Sequence, residues 1–158
     1  MCRPQRMMFC NLIENLLQES QRQGRLGNSE KAAEYKDKAL QATRYCDQTI
    51  PAANVPYDYT SLTMAQAYCI CDAKEDGERI IGAVLKQCYD YLGWGFMQKL
   101  EHQNSFSNTI GDEVMTMREA IRLAKTYELN SLHERYNPDF DQFFELAYKK
   151  GFLKKYMR

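Results

Sequence analysis

The chain has 158 residues, 44% hydrophobic and 27% charged, a composition typical of a soluble globular protein and unlike that of a disordered one. A chain of this length buries roughly 68–70% of its unfolded surface, so apolar packing alone can stabilise a single domain over residues 1–158. The 21 basic and 21 acidic residues balance, which excludes the clustered basic excess expected of a nucleic-acid-binding protein.

Targeting and membrane signals are absent from the sequence. The start MCRPQRMMFC passes into the polar NLIEN instead of an apolar core with a cleavage site, so we expect no signal peptide. No stretch approaches the ~18 apolar residues of a membrane span, and we expect the chain as given to be soluble, without a transmembrane segment. Its six cysteines lack the dense spacing of a secreted disulfide scaffold.

Apolar residues at spacings of three and four predict a helical hairpin over residues 7–50. Its first helix covers about 7–23 and ends at the glycines of QRQGRLGN. The apolar stripe of that helix consists of Phe9, Leu12, Ile13, Leu16 and Leu17. The second helix begins after a cap at Asn28 or Ser29 and runs to about Thr49.

A second hairpin is predicted over residues 57–93, after the linker PAANVP. A new helix is predicted to begin near Pro56, and Asp58 in its first turn suits the helix dipole. A turn at 72–74 leads to the next helix, which ends at the glycines of 93–95. The apolar stripe of that helix consists of Ile81, Val84, Leu85, Cys88 and Leu92.

Two further helices are predicted within residues 105–158. The stripe of the first consists of Ile110, Val114, Met117, Ile121 and Ala124. The second starts at Pro138 after an Asn137 cap and ends before Gly151. It buries Phe140, Phe143, Phe144 and Ala147. No segment alternates with period two, so we predict an all-α fold of five or six helices.

The two hairpins with a proline-bounded linker have the layout of stacked, tetratricopeptide-like repeats. The residues that match the repeat spacing are Ala39, Cys46 and Pro51 in the first hairpin and Met64, Ala65 and Tyr68 in the second. The chain has no tryptophan at the position where that repeat usually carries one. The match predicts a fold and does not predict a ligand.

Three segments carry a closer resemblance: RMMFCNLIENLL, RYCDQTIPAANVPYDYTSLTMAQAYCI and YDYLGW. They resemble the soluble C-terminal end of a Bacteroidetes family of multi-spanning membrane proteins of unknown function. The membrane half of that family is similar to protein O-mannosyltransferases and is classed with glycosyltransferases. The resemblance covers residues 1–95, and NVPYDYTS is its most specific part. The turn and second helix GRLGNSEKAAEYKDKAL are longer here than in the family, and the third helix has more cysteines.

The resemblance implies that the chain is the tail of an inner-membrane protein and lies outside the cytoplasm, with the active site in the membrane half. We therefore expect a non-catalytic interaction or scaffolding module. Its expected partner is a protein or peptide, including the membrane half of its own parent chain. Two alternatives stay open: a structural tail that packs on that membrane half, and a stand-alone enzyme without a recognisable motif.

The sequence gives no strong metal or catalytic signal. Cys69 and Cys71 form a CxC pair, but residues two apart on a helix point roughly 200° apart, which disfavours both a disulfide and shared ligation. His102 and His133 have no cysteine near them in the sequence. We therefore predict no bound metal and no cofactor, with Cys69 packed in the core.

The candidate binding residues are Tyr57, Asp58 and Tyr59, which flank the predicted helix start in NVPYDYTS. Packing is the favoured role of Tyr59, and packing and binding are equally plausible for Tyr57. Tyr68 occupies a predicted core position.

The C-terminal end is basic, and two readings of it stay open. The segment KKGFLKKYMR places lysines beside aromatic and apolar residues. It suits contact with an anionic membrane surface. It equally suits a solvated last helix whose cations favour its carboxyl end.

Overall fold

The computed structural model describes residues 3–157, and over that range the chain is all-helical, with no strand. The helices are α1 (Arg3–Arg25), α2 (Ser29–Thr49), α3 (Ser61–Ile70), α4 (Lys74–Met97), α5 (Leu100–Ser105), α6 (Ser107–Thr126) and α7 (Asn130–Lys149), followed by a 3-10 turn at Lys154–Tyr156. The predicted all-α class is confirmed. These residues form seven α-helices, whereas five or six were expected, because the short α5 forms in a polar segment that has no apolar period.

The chain forms two compact units, Met1–Ile80 and Ile81–Arg158, and the boundary between them falls inside α4. The assignment of one domain to residues 1–158 stays a prediction.

The first unit is built on an antiparallel pair of helices, α1 and α2. Gly27 closes the turn between them with a left-handed φ of 78°. Beside the turn, the Ser20 hydroxyl donates to the carbonyl of Ala32 at 2.7 Å. Helix α3 packs on both α1 and α2. The apolar residues buried in this unit include Cys10, Ile13, Leu17, Ala39, Cys46, Leu62, Met64, Ala65 and Ile80.

Helix α3 also approaches the beginning of α4 closely. A side chain at Gly77 would collide with Cys69 Sγ, and its Cβ would lie 3.0 Å from the carbonyl oxygen of Ala65. Glycine at position 77 therefore allows the two helix backbones to approach. The turn between the two helices contains Asp72, whose φ is 62°.

The second unit contains the rest of α4 together with α5, α6 and α7. Helices α6 and α7 pack as a hairpin, and Glu128 takes a φ of 56° in the turn between them. The predicted stripes of α4 and α6 are buried at every position. Near the carboxyl end of the unit, a Cβ at Gly111 would lie 2.5 Å from the carbonyl oxygen of Phe152. Glycine at 111 therefore lets the segment after α7 return onto α6.

Two of the predicted helix boundaries are wrong because a helix runs through glycine or proline. Helix α4 continues through Gly93 and Gly95 to Met97, although a helical glycine costs about 1 kcal/mol relative to alanine. Gly95 is buried against Ile110, so packing outweighs that cost. Helix α7 begins at Asn130, eight residues before Pro138. This proline is exposed, so water can satisfy the carbonyl that loses its N–H partner.

None of the helices described over residues 3–157 combines the length and the apolar character needed to cross a bilayer.

Candidate functional site

The loop that precedes α3 is held by Asp58. The backbone N–H and the hydroxyl of Thr60 donate to Asp58 Oδ1 at 3.0 and 2.6 Å. In return, the backbone N–H of Asp58 donates to the hydroxyl oxygen of Ser61 at 3.1 Å. This reciprocal arrangement satisfies donors at the helix start, as in a capping box. Asp58 thus precedes α3, which begins four residues later than the predicted start at 57.

Tyr57 belongs to a polar cluster formed by Asp47, Tyr57, Tyr68 and Arg79, here called the Asp47 cluster. The hydroxyls of Tyr57 and Tyr68 donate to the two carboxylate oxygens of Asp47 at 2.5 and 3.0 Å. The Arg79 guanidinium donates to Asp47 Oδ2 and to the Tyr57 hydroxyl oxygen, both at 2.6 Å. Tyr57 and Tyr68 are both buried. The cluster connects α2, the loop, α3 and the start of α4.

Each ionisable side chain of the Asp47 cluster keeps a single protonation state at neutral pH. Burial alone would raise the pKa of Asp47, but the hydrogen bonds from Tyr57, Arg79 and Tyr68 outweigh it and hold that pKa below its usual value. Burial and the Asp47 charge raise the pKa of the Tyr68 hydroxyl. The carboxylate is therefore ionised and both phenols are protonated near pH 7. No group of the cluster is poised for acid–base catalysis at that pH.

The lowered pKa of Asp47 gives a pH-dependent contribution to stability. Because its pKa is lower in the folded state, this contribution is present above the unfolded pKa of about 4 and is lost as the pH falls through the folded value. We expect the free energy of unfolding to fall more steeply in the wild type than in Asp47→Asn as the pH falls below about 5. Urea unfolding of both proteins at each pH measures this difference, and parallel profiles would contradict it.

Arg6 fixes the proline-bounded loop to α1. Its side chain is buried, and its guanidinium donates to the carbonyls of Ile50, Val55 and Pro56 at 2.9, 2.7 and 2.8 Å. The guanidinium carbon also lies 5.3 Å from the centre of the Tyr57 ring, within the range of a cation–π contact. The carbonyl groups of the loop thus receive the donors that a helix or strand would have provided.

A shallow apolar groove lies between α1 and α2 and encloses about 570 Å³. Its lining residues are Gln5, Met8, Phe9, Leu12, Tyr45, Thr49 and Ile50. Three of its large hydrophobic residues are exposed: Met8 by 71%, Leu12 by 48% and Tyr45 by 59%. The rings of Phe9 and Tyr45 meet across the groove with their centres 5.7 Å apart. Among the described residues of this lining there is no lysine, arginine, aspartate, glutamate or histidine.

The described lining of the groove offers apolar contact and the polar groups of Gln5 and Thr49. It contains no general base, strong nucleophile or usual metal ligand. Over residues 3–157, no three His, Cys, Asp or Glu side chains come together as metal ligands would. Cys69 faces Gly77, whereas the Cys71 thiol lies 3.5 Å from the carbonyl oxygen of Lys36. Burial raises the pKa of both thiols, which keeps them protonated and poorly nucleophilic.

The three predicted binding residues have different surroundings in the structure. Tyr57 lies in the Asp47 cluster and Asp58 holds the helix start, whereas Tyr59 is 59% exposed, contrary to the packing role favoured for it. None of the three lines the groove. Their binding role stays a prediction.

The groove was not predicted from the sequence, because the helical period places Leu12 on the apolar stripe expected to be buried. Leu12 is half exposed, although the neighbouring Ile13 is fully buried. The available signal was the width of the apolar face of α1. Met7 and Met8 precede Phe9, so apolar residues cover more of the helix than one packed neighbour can bury.

Membership of the membrane-protein family that NVPYDYTS resembles stays a prediction. The groove, the Asp47 cluster and the Arg6 contacts all fall within residues that this resemblance covers. Comparisons of the chain with models of known protein families, with curated proteins and with solved structures find no match.

Proposed function

We propose that the chain is a non-catalytic interaction module that binds an apolar helical segment of a protein in the groove between α1 and α2. The observation that supports this most directly is the exposure of Met8, Leu12 and Tyr45 around one concave, uncharged surface. Exposed apolar patches of this kind are typical of protein interaction sites. Amphipathic helices commonly bind in such grooves through a few apolar side chains.

The composition of the groove selects the chemistry of its occupant. An occupant that placed a charge there would lose hydration without gaining an opposite charge, because every described residue of the lining is uncharged at neutral pH. The methionine and the aromatic rings offer adaptable apolar contact. Gln5 and Thr49 supply polar groups to the lining. The groove therefore favours an apolar helix face over an anionic or cationic ligand, and its lack of titratable groups argues against a stand-alone enzyme.

The source of the segment is proposed from the family resemblance. In that proposal, the chain is a tetratricopeptide-like tail of a glycosyltransferase-like inner-membrane protein and lies outside the cytoplasm. The segment belongs to a partner protein or to the membrane half of the parent chain. In the second case, the chain is a structural tail that uses the same groove.

A peptide-binding experiment tests the groove. Amphipathic peptides selected by phage display against the wild-type chain should show apolar residues at helical spacing. Leu12→Glu should weaken their binding by at least about tenfold, because it places a charge in the apolar centre of the contact. The thermal stability of this variant should change little, since Leu12 is half exposed.

Leu26→Glu is the matched control, because Leu26 is exposed and lies outside the groove. This variant should bind the selected peptides as the wild type does. A failure to select any peptide, or equal binding by Leu12→Glu, would contradict the proposal. Sedimentation of the wild type alone is the second measurement. A dimer that Leu12→Glu dissociates would place a second copy in the groove and would also contradict it.

A further inference from the structure

The carboxyl end of α7 forms a second concavity, of about 430 Å³, here called the lysine pocket. It is lined by Tyr148, Lys149, Lys150, Gly151, Leu153, Lys154 and Met157. Residues 145–157 contain four lysines and one glutamate, so positive charge accumulates on this part of a chain that is neutral as a whole.

The end of α7 satisfies its own backbone groups. The N–H of Phe152 donates to the carbonyl of Ala147 at 2.9 Å, and the N–H of Gly151 donates to the carbonyl of Tyr148 at 3.0 Å. Gly151 has the left-handed φ of 74° that this Schellman-type ending requires. The lysines are therefore not needed as hydrogen-bond donors to the last carbonyls, although they still complement the helix dipole.

Two of the lysine charges are not paired with a carboxylate of the described residues. Lys149 pairs with Glu145, and Lys155 pairs with Asp112. No carboxylate among residues 3–157 lies within ion-pair distance of Lys150 or Lys154. The Lys154 side chain folds over Gly151, with its Cε 2.9 Å from the position that a Cβ would occupy. This glycine thus leaves room for one of the unpaired cations at the wall of the pocket.

Apolar and aromatic side chains lie beside these lysines, some buried and some exposed. Phe152 and Leu153 are buried and fix the segment to the unit. Tyr148 and Met157, which also line the pocket, are 55% and 58% exposed. Lysines beside exposed aromatic and apolar side chains are typical of surfaces that bind anionic lipid headgroups at a membrane interface.

We propose that the lysine pocket binds phosphate groups of anionic lipid headgroups, with Lys150 and Lys154 as the principal contacts. Tyr148 and Met157 then contact the region between the headgroups and the acyl chains. This inference goes beyond the proposed function, because it uses other residues in the other unit and does not depend on a peptide in the α1/α2 groove.

Flotation with vesicles tests the lysine pocket. The wild-type chain should bind vesicles of phosphatidylcholine mixed with phosphatidylglycerol and should not bind vesicles of phosphatidylcholine alone. Lys150→Gln/Lys154→Gln should lower the partition coefficient about 30-fold, since each lysine near an anionic surface contributes about fivefold. Salt at about 1 M should abolish binding, because the Debye length then falls to about 3 Å.

Lys31→Gln/Lys125→Gln is the matched control, because it removes the same charge from two exposed lysines outside the pocket. This variant should bind as the wild type does, and circular dichroism should show both double variants folded. Equal losses in the two variants would mean attraction by net charge alone and would overturn the proposal.

Calorimetric titration with pyrophosphate distinguishes a lipid from a free phosphate compound. If the wild type binds pyrophosphate through Lys150 and Lys154 but does not bind anionic vesicles, the ligand is a free phosphate compound and the lipid proposal is overturned. If it binds the vesicles as expected and pyrophosphate does not displace it, the lipid surface is supported as the source.

Discussion

Replacing Arg6 with methionine is expected to lower the free energy of unfolding by about 3–5 kcal/mol. Methionine keeps an unbranched apolar stem but removes the donors to the carbonyls of Ile50, Val55 and Pro56. A buried acceptor without a donor costs about 1–3 kcal/mol. The bond to Ile50 is buried, and the bonds to Val55 and Pro56 are partly buried. The cation–π contact with Tyr57 is lost as well.

Urea unfolding measures this loss, with Arg44→Met as the control. Arg44 is an exposed arginine in the same unit, so the same substitution there should change stability by under about 0.5 kcal/mol. Amide hydrogen exchange should also accelerate in the loop of residues 51–60 when Arg6 is replaced. Equal stability of the Arg6→Met and Arg44→Met proteins would show that the loop holds its place without Arg6.

The second large effect is expected from the two buried tyrosines of the Asp47 cluster. Tyr68→Ala and Tyr57→Ala should each cost roughly 3–5 kcal/mol, as truncations of large buried aromatics do. Tyr59→Ala, on a ring that is 59% exposed, should cost under about 1 kcal/mol. Thermal and urea denaturation of the three variants measures these costs.

Phenylalanine variants separate packing from hydrogen bonding in this cluster. Tyr57→Phe and Tyr68→Phe keep the ring and each remove one donor to Asp47, so each should cost about 0.5–3 kcal/mol. If Tyr57 were instead a surface contact, Tyr57→Ala should cost under about 1 kcal/mol. A measured loss that small would contradict the burial of Tyr57 and would reopen its binding role.

The helices and much of their buried surface could be predicted because helical periodicity is a local property. The stripes that contain Val84 and Val114 are buried at every position, since a regular helix places residues three and four apart on one face. Local rules failed where tertiary contacts outweighed them. Helix α4 runs through Gly95 because packing against Ile110 outweighs the cost of glycine. Helix α7 contains Pro138 at an exposed position, where water can satisfy the freed carbonyl.

The candidate sites depended far more on contacts between distant parts of the chain. The resemblance and the proline pattern predict a candidate site in NVPYDYTS, and that segment does contain residues with side-chain hydrogen bonds. Its partners Arg6 and Arg79 lie far away in sequence, and nothing in their local sequence marks them. The lysine pocket was visible in the sequence as a basic end, but the positions of its unpaired lysines were not.

The sequence by itself determined that this chain is helical, which faces of α4 and α6 are buried, and where the chain turns at Gly27. These features follow from backbone preferences and from the period of the helix, which act over a few residues. Only the tertiary structure decided that Tyr57 is buried while Leu12 is exposed. Both are large apolar residues, and their exposure depends on whether a distant segment covers them. Arg6 and Arg79 lie against Tyr57, whereas α1 and α2 leave Leu12 at an open groove.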